Sequence, residues 1–95
     1  MIKAKAILDI KPYSITCSFN NGEVRRLDVE KVLSKENKYV QEILTLPIFS
    51  QAKIGEFGEL YWEDVAKMKD LNGNEIPCAF DPSPEFVYFH ATRVG

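Results

Sequence analysis

The chain has 95 residues, 45% of them hydrophobic and 12% aromatic, which suffices for one modest core and is too short for two domains. Twelve Lys and Arg stand against fourteen Asp and Glu, a net charge of −2, so no global positive field draws the chain to phosphate backbones or anionic lipid. The reading is a single domain over residues 1–95, with direct nucleic-acid binding and membrane attachment both disfavoured.

Cys17 and Cys78 belong to no CxxC or Cys/His spacing, which points to buried, inert thiols and away from a zinc site or redox pair. The opening residues Met1-Ile2-Lys3-Ala4-Lys5 lead into an apolar stretch that Asp9 interrupts. That pattern is neither a signal h-region nor a membrane span. With reduced thiols, it makes the cytoplasm the expected location.

Ala4 to Ile10 reads as a strand, with Ala6, Leu8 and Ile10 on one face and Ile7 and Asp9 on the other. Lys11-Pro12 interrupts it as a turn. Tyr13 to Phe19 alternates large or apolar residues with small hydroxyls, so Tyr13, Ile15, Cys17 and Phe19 should face the core. Asn20-Asn21-Gly22 is a hairpin signal, because Asn and Gly tolerate positive φ. The return strand, Glu23 to Leu27, sets Val24 and Arg26 on one face and Glu23, Arg25 and Leu27 on the other. The adjacent Arg25 and Arg26 read as solvated strand residues, and Asp28 as a helix N-cap.

Apolar residues from Val29 to Leu46 fall at helical spacing. The pattern admits one helix or two; the preferred division is a short turn at Val29 to Leu33, then a helix from Lys35 to Leu44 capped by Ser34. Pro47 stops simple continuation, and Ile48-Phe49 should tuck beneath the sheet. Gln51 to Glu56 and Glu59 to Trp62 read as strands flanking a Gly55-Glu56-Phe57-Gly58 turn, with Leu60 and Trp62 pointing one way and Tyr61 the other. Glu63 to Lys69 is ambiguous. Asp70 to Asn74 has turn composition closing a hairpin that ends at Ile76, with Pro77 marking an edge or exit.

Asp81-Pro82-Ser83-Pro84-Glu85 is a helix start, with Ser83 as N-cap and Pro84 at the first position, for a helix from Pro84 to about Ala91. The β-prone run Phe86-Val87-Tyr88-Phe89 leaves a strand as the alternative there. The fold class is therefore α+β: a small antiparallel sheet, built as a hairpin-based meander, packed by one or two short helices and a C-terminal helix.

The order of these pieces resembles the DUF2442 family of small bacterial domains. The shared features are the hairpin Phe19-Asn20-Asn21-Gly22-Glu23, the helix-opening Asp28 and the connection Leu44-Thr45-Leu46-Pro47-Ile48-Phe49. Tyr61-Trp62 and the late segment from Asp81-Pro82 through Phe86 and Tyr88 complete the likeness. Glu63 to Phe80 is a longer excursion than the family's commoner pattern. The resemblance implies an α+β domain, a fold seen also in the amino-terminal domain of a Nitrosomonas protein, without established catalytic residues and often partnered by a second small protein.

No catalytic constellation emerges from the residues themselves. His90 is the only histidine and sits in no HxxxH or HExxH spacing, so it reads as a carbonyl cap or a solvated residue. Glu63-Asp64 and the pair Asp81 and Glu85 read as turn and cap residues. Gly55-Glu56-Phe57-Gly58 has neither GxGxxG spacing nor a P-loop lysine. No catalytic, metal or cofactor residue is assigned. The aromatics concentrate after Ile54, and a strand with large side chains on both faces at Tyr61-Trp62 points to an interface. The candidate interface residues are Tyr61, Trp62, Phe86 and Tyr88. The functional expectation is a non-enzymatic interaction module whose sheet edge or aromatic surface binds a protein partner or its own copy. The alternative is an antitoxin-like or regulatory module acting at nucleic acid through a partner, with Lys3, Lys5, Arg25 and Arg26 as its support.

Overall fold

The computed structural model describes residues 1–69 and 71–94, without the side chains of residues 64, 67, 68 and 77–79. Asp70 in the expected turn, the carboxylate of Asp64 and the thiol of Cys78 thus lie outside the described residues. The elements run β1 (Ala4–Lys11), β2 (Ser14–Phe19), β3 (Val24–Asp28), α1 (Val29–Val32), α2 (Lys38–Ile43) and α3 (Leu46–Phe49). Then follow β4 (Lys53–Ile54), β5 (Leu60–Lys69), β6 (Glu75–Phe80), α4 (Pro84–His90) and β7 (Thr92–Arg93). One antiparallel sheet has the order β1-β2-β3-β7 and a second has β4-β5-β6. The α+β class and the meander are as the sequence pattern predicts.

The alternation in β2 buries Ile15, Cys17 and Phe19, each at 2% exposure or less, with Tyr13 packed against the same cluster from the preceding turn. Across the Asn20-Asn21-Gly22 turn, where Gly22 has φ 87°, β3 returns with Ile15 opposite Leu27 and Cys17 opposite Arg25.

In β1 the inward face differs from simple alternation. The pairing with β2 slips between Ala4 and Ala6 and again between Ile7 and Asp9, so Lys5 and Leu8 are the extra residues of two β-bulges. Each bulge lengthens the inward repeat from two residues to three. Ala4, Ile7 and Ile10 therefore stand opposite Phe19, Cys17 and Ile15 and pack on the core. Leu8 turns outward at 57% exposure.

The helical region also departs from expectation. Asp28 sits at the N-cap of α1, but its carboxylate makes no capping hydrogen bond and lies 3.7 Å from Lys31 Nζ. Helix α2 starts at Lys38, capped by Asn37, whose Oδ1 accepts from the amides of Tyr39 and Val40. Ser34 instead accepts from Glu36 N in the preceding turn. Pro47 opens α3, fitting a first-turn position where no amide donor is needed, and Phe49 from this turn is buried.

The strand signal that is ambiguous after Trp62 extends in the structure to Lys69, and β6 pairs with it as a hairpin passing through Pro77. Proline is tolerated there because β6 is an edge strand. At the other end, Leu60 and Trp62 are buried, and Trp62 Nε1–H donates to the Phe49 carbonyl at 3.1 Å. Gly58, with φ 78°, joins the two sheets: its carbonyl accepts from Ala4 N at 3.1 Å. A Cβ at this position would stand 2.4 Å from Lys3 Cβ.

Candidate interaction surface

Helix α4 organises the candidate site. Ser83 Oγ accepts from Phe86 N at 3.1 Å, and Pro84 occupies the first turn, which settles the Phe86–His90 segment as helix. Val87 and Ala91 point into the core. Phe86 is half-buried, while Phe89 is 74% exposed. His90 stacks on Phe86 with ring centroids 4.2 Å apart, and its Nδ1–H donates to the Phe86 carbonyl at 2.9 Å. The lone histidine is thus a carbonyl partner within its own helix.

Tyr88 points the other way, to the β2–β3 hairpin. Its hydroxyl donates to the Glu23 carboxylate, and its ring meets Phe19 edge-on at 5.3 Å. Glu23 also accepts from Asn21 Nδ2 at 2.8 Å and from Arg25 Nη2 at 2.9 Å. The Tyr88 hydroxyl foremost, then Arg25 and Asn21, hold the Glu23 carboxyl below the usual carboxylate range against the opposing effect of partial desolvation. Arg25 Nη1 donates to the carbonyls of Tyr88 and Ala91 at 3.2 and 3.3 Å, and the guanidinium lies 3.9 Å from the centre of the Tyr88 ring. A cation therefore meets the carbonyl end of α4. The expectation that both arginines are solvated holds for Arg26, which is exposed, and is corrected for Arg25, whose side chain is only 20% accessible.

Of the four aromatics expected at an interface, Trp62 is enclosed at 1% exposure and offers no surface. Its size fills the space between Phe49 and Phe80, with ring centroids 5.9 and 6.2 Å away. Tyr61 is half-buried on the opposite side of β5. Phe86 and Tyr88 share α4 but point to different neighbours. The residue that sequence reasoning leaves out is Phe89, whose exposure follows once Val87 is placed inward at helical spacing.

Beside the start of α4 lies an open groove of about 400 Å³ lined by Phe80, Phe86, Leu33, Ala66 and the Asp81-Pro82-Ser83 segment. Among its described lining residues Asp81 is the one charged side chain. No group of three or more His, Cys, Asp or Glu side chains is placed to hold a metal ion among the described residues, and no helix among them is long and apolar enough to cross a membrane.

No protein family, curated protein or solved structure matches the chain. The likeness to the DUF2442 family accordingly rests on the order of the motifs alone.

Proposed function

We propose that this chain is a non-enzymatic, cytoplasmic interaction module that engages another polypeptide through the aromatic surface of α4 and its adjoining groove. The observation that carries this reading is Phe89, a large aromatic 74% exposed on a short helix whose inward face is already satisfied by Val87 and Ala91. Exposed aromatic area beside an apolar groove is the composition of a recognition surface.

The sheet edges support the choice of the helix over strand addition. β1 carries two bulges, β4 and β7 are two residues long, and β6 contains Pro77. These are the devices that discourage pairing with another chain. The alternative, action at nucleic acid, draws on Lys3, Lys5, Arg25 and Arg26, and Arg25 is engaged with Glu23 and the end of α4.

The test is a photo-crosslinking amino acid at Phe89, compared with the same group at the exposed Lys5 on β1, in cells of the source organism. A discrete adduct at Phe89 that is missing at Lys5 is the expected result. No adduct at either position, together with a strictly monomeric mass in solution, would overturn the reading.

A further inference from the structure

The groove beside α4 combines two features that restrict what can fill it. Its walls are apolar, with the rings of Phe80 and Phe86 and the side chains of Leu33 and Ala66. Among the described residues its single charged lining side chain is that of Asp81, which is exposed and makes no hydrogen bond or ion pair with another described residue. A purely apolar occupant would take water from that carboxylate without replacing it, which is unfavourable. An acidic occupant would meet a like charge. A lysine or arginine satisfies both parts of the groove, because its alkyl stem packs on apolar surface while its cation pairs with a carboxylate and favours aromatic faces.

The surroundings agree in sign. Glu85, in the first turn of α4, is exposed and also unpaired among the described residues. Lys35, two positions beyond the groove residue Leu33, is already drawn to Glu30 at 3.3 Å. The volume, about 400 Å³, falls in the range of roughly 300 to 1,000 Å³ typical of ligand clefts.

We infer that this groove receives an aliphatic cationic side chain, lysine or arginine, from a partner polypeptide, with its stem against Phe80 and Phe86 and its charge at Asp81. The inference rests on the interaction-module reading and adds the chemistry of the partner.

The experiment follows amide chemical shifts of the isotope-labelled chain during titration with short acetylated peptides identical except for their centre. The centres are Leu-Arg-Leu, Leu-Lys-Leu, Leu-Gln-Leu and Leu-Glu-Leu. The basic peptides are expected to move the amides of Leu33, Ala66 and the Asp81 to Phe86 segment, and the Gln and Glu peptides to bind more weakly. Asp81→Asn, at an exposed and unbonded position, should preserve the spectrum of the free chain and weaken the basic peptides about fivefold. Phe86→Leu, which keeps apolar bulk and removes the ring, should weaken them as well. Equal binding of all four peptides, binding of none, shifts mapping elsewhere, or unchanged affinity in Asp81→Asn would each overturn the inference. A crosslink at Phe89 alongside any of those results would leave the interaction module standing and remove only the basic partner.

Discussion

The hydroxyl of Tyr88 donates to the carboxylate of Glu23, joining the C-terminal helix to the first hairpin across 65 positions of sequence. Because the folded state holds the Glu23 carboxyl below its usual range, the associated stability is present above the ordinary carboxylate pKa. It is lost as pH falls through the lowered value. Glu23→Gln should therefore lower Tm at neutral pH and flatten the acid side of the stability profile. Tyr88→Phe should do the same to a smaller degree, since Arg25 and Asn21 remain. Thermal melts between mild acid and neutrality check both, and an unchanged acid slope in Glu23→Gln would contradict the network.

The bulges of β1 assign opposite roles to neighbouring residues. Ile7→Ala should cost about 1 to 2 kcal/mol, because Ile7 packs on the core. Leu8→Ala should stay within about 0.5 kcal/mol, because its side chain is in solvent. Denaturant midpoints of the two variants decide the matter, and a reversed order would restore simple alternation.

Gly58 and Gly22 both have positive φ, at 78° and 87°, but only Gly58 abuts another segment. Gly22→Ala has open space around the new methyl and should cost about 1 kcal/mol in backbone strain alone. Gly58→Ala adds a clash with Lys3 and should cost about 2 to 3 kcal/mol. Equal destabilisation of the two would show that the approach of Lys3 is not tight.

Burial pushes the Cys17 thiol up to about 11, so the nucleophilic thiolate is scarce at neutral pH. In a Cys78→Ser variant, Cys17 should react with a disulfide reagent only as fast as the chain opens, and immediately in denaturant. Rapid labelling of the folded chain would contradict this.

Trp62 is the only tryptophan, so its fluorescence reports its position directly. Emission should be blue-shifted and resist quenching by acrylamide until unfolding. Trp62→Phe should cost about 2 kcal/mol through the lost volume and the unpaired Phe49 carbonyl.

Local chemistry alone determined a good part of this protein. The alternation from Tyr13 to Phe19, the Asn-Gly turn and the Ser83-Pro84 start of α4 each depend on residues close in sequence, and each is realised where the pattern places it. Of the aromatics singled out from the sequence, Phe86 lines the groove, whereas Tyr88 on the same helix turns to the β2–β3 hairpin. Tertiary structure decided what depends on a distant partner. The two bulges that turn Ile7 inward arise only against β2, and a period count along β1 cannot register them. Thr92-Arg93 forms a strand only because α4 delivers it to the edge of β3. Arg25 is drawn partly out of solvent for the same reason: the carbonyl end of α4 lies over it, and a partly desolvated cation is stabilised by the carboxylate and carbonyls found there. Trp62 joined the core and Phe89 the surface because volume is shared among segments in space, and residue type alone does not say which aromatic the core has room for.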